Sequence, residues 1–210
     1  MRKQYTLTDI KQALDLPNFD AIAAQQKMTP VPRGARRPTS KPGRPRLGGV
    51  LALFYCYQKQ LYLVLTRRRD DLNDHAGQIS FPGGKHENGE TLVETAVREA
   101  YEEIGIQPDH LTILGQLTPL YIPPSDFEVH PTVAWYENGQ RPNFTPSDSE
   151  VAEILETPLN HLLNPAARGE ETWTLRGYEV RVPFFIIEGH KVWGATAMML
   201  SELIERLNTL

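Results

Sequence analysis

Three carboxylates, Glu99, Glu102 and Glu103, stand at i, i+3 and i+4 in a stretch where Leu92, Val93, Ala96, Val97 and Ala100 recur at helical spacing. At 100° per residue the three acids crowd one face of a helix. Like charges at that spacing cost a few tenths of a kcal/mol each, so the cluster needs a counter-charge, and Arg98 meets only part of that need. Two readings are open: a solvated acidic helix face, or a site for a hard divalent cation. Mg²⁺ takes oxygen ligands in octahedral geometry and is commonly held by a few carboxylates plus substrate phosphates. Just ahead, Phe81-Pro82-Gly83-Gly84 allows a tight turn whose carbonyls offer a further ligand and whose N–H groups can approach an anion.

These groups need a frame. The spacing predicts a helix from Glu90 to Ile104, stopped by Gly105. Before it, Gly48–Tyr57 and Gln60–Thr66 read as two strands joined by the polar Gln58-Lys59. After it, Leu111–Tyr121, Val129–Tyr136, Val151–Glu156, Thr172–Val180 and Val182–Ile187 read as strands, with a short helical stretch around Leu159–Leu163. Pro123-Pro124-Ser125-Asp126 marks a loop expected to cover a site. Two further helices are expected, Tyr5–Leu16 capped by Thr8 and Ala195–Leu207 closing the domain. Strands interleaved with helices indicate an α/β or α+β sheet with helices on both faces.

Composition narrows the class. With 210 residues, 40% hydrophobic and 23% charged, the chain is an ordinary globular one. We divide it into an N-terminal helix with a basic, Pro-rich linker (1–47) and one domain (48–210). Its longest apolar run, Val50 to Tyr57, is far short of a membrane span, and no apolar stretch of the signal-peptide kind follows Met1-Arg2-Lys3. The single cysteine, Cys56, excludes an internal disulfide and a cysteine zinc cage, so the cytoplasm is the default compartment. Charge is lopsided: residues 21–69 hold eleven Lys or Arg and no acid, whereas residues 70–210 hold eight basic and 23 acidic residues. The basic block reads as a solvated linker, with a nucleic-acid arm as the less favoured alternative. Arg67, Arg68 and Arg69 end an apolar strand and are better placed to face phosphate. His130, His161 and His190 show no metal spacing to one another.

Read as one string, the chain runs Gly84, five residues, Glu90, seven residues, then Arg98-Glu99-Ala100-Tyr101-Glu102-Glu103-Ile104-Gly105-Ile106. This resembles the Nudix box, G-x5-E-x7-R-E-U-x-E-E-x-G-U with U apolar, at every specified position. The resemblance implies an α/β/α sandwich with a mixed sheet and hydrolysis of a nucleoside diphosphate linked to another group, with Mg²⁺ or Mn²⁺ as cofactor. It further implies that Glu99 and Glu103 bind the metal, that Glu102 assists, that the Gly84 carbonyl completes the shell, and that Glu90 and Arg98 pair to fix loop against helix.

A second resemblance lies upstream. Nudix enzymes that act on coenzyme A carry L-L-T-x-R-[SA]-x3-R-x3-G-x3-F-P-G-G, and here Leu65, Thr66, Arg68, Gly77 and Phe81-Pro82-Gly83-Gly84 match. Val64, Arg69 and Asn73 depart from it. His75-Ala76-Gly77-Gln78-Ile79-Ser80, Ser149-Glu150-Val151 and Val192-Trp193-Gly194-Ala195-Thr196-Ala197 are also similar to that subfamily. The resemblance implies a small-molecule substrate, bound through Arg67, Arg68, Arg69, His75, Gly77, Gln78, Phe81 and Gly83, and neither nucleic acid nor a membrane as partner; a homodimer is left open. Tyr121, Ile122, Pro123, Pro124 and Phe127 are candidates to line an apolar groove for a pantetheine arm. For the general base, Glu102 is the first candidate and Glu150 the second, with Glu128 behind them. A different diphosphate, such as ADP-ribose or a dinucleotide, and a non-catalytic Nudix-fold binding module are the competing readings.

Overall fold

The computed structural model describes residues 4–31, 45–72, 76–137, 139–175 and 177–210. The frame is an eight-stranded mixed sheet. Strand β1 (Arg46–Tyr57) lies at its centre, antiparallel to β2 (Gln60–Arg68) and parallel to β7 (Phe127–Tyr136). Strands β3 (Ile79–Ser80) and β8 (Val151–Pro158) flank β2, β4 (Gly83–Lys85) pairs with β1, and β5 (Leu111–Gln116) and β6 (Leu120–Ile122) pair with β7. A second, three-stranded sheet is built from β9 (Arg168–Leu175), β10 (Tyr178–Ile187) and β11 (His190–Val192). The expected mixed α/β architecture is present, with a helix layer on each face of the main sheet.

The side-chain alternation of β1 explains why helices cover both faces. Leu51, Leu53 and Tyr55 point one way and pack with Ala96, Ala100 and Ile104 of helix α3 (Leu92–Ile104). Ala52 and Phe54 point the other way, into a larger cluster with Leu63, Leu65, Phe185 and the buried stripe of α5 (Gly194–Asn208), the last long element. A strand buried on both sides needs a continuous apolar run, which Val50 to Tyr57 supplies. Helix α1 (Leu7–Leu14) is followed by α2 (Ala21–Gln26), and the short α4 (Leu159–Leu162) follows β8.

Several boundaries differ from expectation for local reasons. Helix α1 runs Leu7–Leu14 and is capped by Thr6, not Thr8, because Thr6 and Asp9 close a reciprocal capping box. Helix α3 starts at Leu92, two residues late, because Thr91 and Glu94 form the same kind of box. The expected strand Leu111–Tyr121 is two strands: the Thr118 N–H goes to Glu202 at 3.1 Å instead of to a neighbour in the sheet. The hairpin of β9 and β10 turns between Leu175 and Tyr178, where Gly177 takes φ +82°, and not at Arg181. The expected covering loop Pro123–Asp126 is a compact turn joining Ile122 to its partner Phe127. Helix α2 had no periodic signal, being six residues long. Most of the basic Pro-rich linker, residues 32–44, lies outside the described residues.

The N-terminal helices dock on the same core. Ile10, Ala13 and Met28 belong to the α5-side cluster, and Ser201 Oγ donates to the Ala24 carbonyl at 2.7 Å. At the centre of this contact Glu202, with 0% exposure, accepts from Gln25 Nε2 (2.8 Å), Arg206 Nε (3.0 Å) and both the N–H and hydroxyl of Thr118. Removing one member of a buried pair strands the other, at about 3–5 kcal/mol. Glu202→Ala is therefore expected to lose about that much in urea denaturation, far more than the exposed Glu179→Ala; a loss under 1 kcal/mol would show that the network does not clamp the helices.

Candidate active site

The acidic face of α3 meets β4 at unusually close range. A Cβ on Gly84 would overlap the Glu99 carboxylate, and one on Gly49, its partner across the ladder, would overlap the Leu92 carbonyl and sit 2.9 Å from Ala96 N. At Gly49 the obstacle is backbone, so only glycine lets the helix approach, whereas at Gly84 it is the end of the Glu99 side chain. Leu51 N donates to the Pro82 carbonyl (2.8 Å) and His86 N to the Leu47 carbonyl (2.9 Å), so the Gly49–Gly84 pair between them is a hydrogen-bonded one. That register directs the Gly84 carbonyl into the ladder. Gly83 is turned the other way: its N–H donates to Glu103 Oε2 at 3.2 Å, and strand geometry turns its carbonyl to the same open side. The carbonyl best placed to join the acids is thus that of Gly83, one residue before the one expected.

Arg98 organises the outer half of the site. Its guanidinium reaches Glu90 through Nε (3.1 Å) and Nη2 (3.1 Å), the Lys85 carbonyl (3.2 Å), Glu99 (3.0 Å) and Glu102 (3.3 Å). Glu90 also accepts from Glu87 N (2.9 Å) and Thr95 Oγ1 (2.7 Å). These donors, Arg98 foremost, hold its carboxyl down at about 2. The expected Glu90–Arg98 pair is formed and ties the β4 turn to the helix.

The inner half is short of positive charge. Glu103 is 5% exposed, and burial, reinforced by Glu150 and Glu99, pushes its carboxyl up to about 8. Glu99 is raised as well, by burial first and then by Glu102 and Glu150, against the pull of Arg98. The cation on this side is Arg68, whose Nη1 lies 3.3 Å from Glu150 and 3.8 Å from Glu103, while its Nε is buried with no hydrogen-bond partner. The acids thus turn toward arginines, and among the described residues no three metal-ligating side chains converge as a ready coordination shell. The donor set nonetheless suits a hard divalent cation: it is all oxygen, crowded, and carries carboxylates whose charge is under-compensated.

The remaining expected residues separate. Glu150 is brought in by the segment after β7, which docks on the end of α3 through Thr145 N to the Ile104 carbonyl and Ser147 N to the Glu103 carbonyl, both 2.9 Å. Arg67 turns away to Asp70 (2.9 Å) and Glu153 (3.4 Å). Arg69 is gripped by Asp71 (2.6 Å) and the Asp148 carbonyl (2.7 Å), beside an open depression lined by three aspartates. Of the three arginines only Arg68 faces the acidic helix. Phe81 is 1% exposed and belongs to the core, so it supports the turn from behind and does not meet solvent. Gly77 takes φ +67° beside Asp70, and the Gln78 carbonyl accepts the Arg68 N–H at 2.9 Å. His75 and Asn73 lie outside the described residues. Sequence reasoning missed Thr95 and Gly49. A threonine inside the buried helix stripe and a glycine inside an apolar strand were the signals. The Val192–Ala197 segment also finds its place: Thr196 Oγ1 donates to the Ile79 carbonyl at 3.0 Å, anchoring β3.

A family model described as the NUDIX domain matches residues 45–176. The chain is 35% identical over 163 residues to the uncharacterized Nudix hydrolase NudL of Photorhabdus laumondii, covering 77% of this chain and 85% of that one. It is 36% identical over 159 residues to the protein of the same description from Pectobacterium atrosepticum, covering 75% and 81%. Among solved structures, the MutT protein from Methanosarcina mazei Go1 aligns with a TM-score of 0.52 at 20% identity over 81% of this chain and 100% of that one. A MutT/nudix family protein from Enterococcus faecalis aligns with a TM-score of 0.51 at 15% identity over 99% and 75%. These two share the fold.

Two outcomes follow from the geometry. Gly84→Ala displaces the end of a flexible side chain and not backbone, so its cost in stability should stay within about 1 kcal/mol, while metal-dependent hydrolysis falls at least about tenfold because Glu99 is moved; unchanged turnover would show that the Glu99 position is not needed. Glu90 has a folded pKa below its unfolded one, so its contribution is present above about pH 4.5 and is lost as pH falls toward about 2. Melting curves from pH 6 to 2 should therefore show a steeper acid loss in the native chain than in Glu90→Gln, and parallel curves would refute it.

Proposed function

This chain belongs to the Nudix family of hydrolases, which act on nucleoside diphosphate derivatives and generally use divalent metal ions, and we propose that its substrate is coenzyme A or an acyl-coenzyme A. The products are 3′,5′-ADP and 4′-phosphopantetheine or its acyl form. The observation that carries this reading is Arg68. The strand-end arginine of the coenzyme A motif is the one cation of its triplet aimed at the carboxylates of α3, with a buried Nε still unpartnered. Arg69, a departure from the motif, is neutralised by Asp71 and adds no free charge to the site.

Each residue then has a task. Mg²⁺ or Mn²⁺, held by Glu99, Glu103 and a β4 carbonyl, would neutralise the diphosphate and lower the pKa of a water. Arg68 offers its planar fork to phosphate oxygens, an exchange of one anion for another in which Glu150 is released. The freed Glu150 carboxylate accepts the proton of a water that attacks one phosphorus, the bridging P–O bond breaks, and the other phosphate leaves on its own product. We favour it over Glu102 because it bears electrostatically on both Glu99 and Glu103, whereas Glu102 is engaged by Arg98 on the outer side. Arg98 and Glu90 keep the turn and the helix in register throughout.

The test is product analysis after incubation with coenzyme A, ADP-ribose and a dinucleoside polyphosphate, each with Mg²⁺, Mn²⁺ or chelator. Metal-dependent release of 3′,5′-ADP from coenzyme A is expected, with Arg68→Ala losing at least about tenfold in kcat/KM. Preferential turnover of either other substrate would overturn the coenzyme A assignment.

A further inference from the structure

A census of arginines around the site leaves one without an acid. Arg67, Arg68, Arg69, Arg98 and Arg141 all face carboxylates. Arg46 does not: its guanidinium lies 4.3 Å over the Phe127 ring, gives one hydrogen bond to the Ser125 carbonyl, and has no carboxylate partner among the described residues. A guanidinium has five N–H donors, so most of this exposed one are uncommitted. The ring and the Arg46 backbone N–H, which donates to the Asp126 carbonyl at 2.9 Å, fix where the fork sits.

That place borders the reactive turn. Gly48, two residues along β1 on the same face and buried, is closely packed between the two: a Cβ there would lie 2.8 Å from the Gly84 carbonyl oxygen and 3.5 Å from Phe127 Cδ1, so the Phe127 ring that seats Arg46 abuts the turn. Lys85, directly across from Gly48 and exposed, adds a second cation on that face. By the alternation of β1 the acids of α3 lie on one side of the β1–β4 pair and Arg46 on the other, and β4 pairs with β1 alone among the described strands. A ligand that engages both the acids and Arg46 must reach round β4, which a phosphate on the substrate's sugar, beyond the diphosphate, can do. The depression beside Arg69, rich in aspartate, would repel such a group.

We propose that Arg46, seated on Phe127 beside the Gly83-Gly84 turn, binds a phosphomonoester on the sugar of the substrate, outside the diphosphate that is split. This rests on the coenzyme A reading, since it needs a third phosphate. The experiment compares coenzyme A with 3′-dephospho-coenzyme A in steady-state kinetics, and 3′,5′-ADP with 5′-AMP in titration calorimetry, for the native chain, Arg46→Gln and Arg46→Lys. Arg46→Gln is expected to raise KM for coenzyme A about tenfold with kcat kept, to leave the dephospho substrate unchanged, and to weaken 3′,5′-ADP but not 5′-AMP; Arg46→Lys should recover part of the loss. Equal losses on both members of each pair would overturn the proposal and leave Arg46 as a clamp on the β6–β7 turn, as would no loss at all. If the native chain splits neither coenzyme A form, the coenzyme A reading falls, and calorimetry decides Arg46 alone: an Arg46-dependent preference for 3′,5′-ADP supports it, and its absence overturns it.

Discussion

Helix α3 approaches β1 and β4 so closely that Gly49 can carry no side chain and one on Gly84 would displace the Glu99 carboxylate, and the chemistry of this end of the molecule is set by that separation. It presses the Glu99 carboxylate against backbone and takes Glu103 out of water. Both acids therefore hold charge in a setting that disfavours it. The pressure would push helix and turn apart were it not for Arg98, which binds the turn through Glu90 and the Lys85 carbonyl and the helix through Glu99 and Glu102. The same short distance that creates the electrostatic need also positions the groups able to bring it a cation.

The segment carrying Glu150 completes the enclosure from the opposite side. It is held by backbone bonds to the last turn of α3 and, further back, by Arg141 and the Tyr55 hydroxyl, both on Glu156. Gly105 matters here beyond ending the helix: a Cβ at its φ of +74° would sit 2.8 Å from Thr145 Cβ. One residue thus stops α3 and admits the strand of chain that brings the fourth acid.

Much of this was legible in the sequence because it is periodic or local. The α3 stripe, the apolar run of β1, the glycine turn and the Glu90–Arg98 spacing each depend on neighbours within one element or the next. What could not be read depends on pairing between distant segments. The destinations of Arg67 and Arg68 follow from strand alternation and from Glu153 and Glu150, more than 80 residues away, while Arg69 goes to the nearby Asp71. The turn of the Gly83 and Gly84 carbonyls to opposite sides follows from the β1–β4 register, which no single segment encodes. The split of Leu111–Ile122 into two strands comes from Glu202, on the last helix. Helix α2, capped by Asp20, is too short to show a period and gains its stability from packing on α5.

The parallel pairing of β1 with β7 also governs the order in which the chain can become a protein. Every residue of the acidic helix and its turn lies between these two neighbours, so the central strand stays half-paired until β7 has been made. Residues paired across this ladder are 81 apart in the chain, so at 5–20 residues per second a partner follows after about 4–16 s. The opposite face waits longer still, because α5, which covers Ala52, Phe54, Leu63 and Leu65, is made after every strand of the sheet. The nascent chain thus carries this apolar face of the sheet uncovered until α5 has been made, and the catalytic layer is assembled before the layer that supports it from behind.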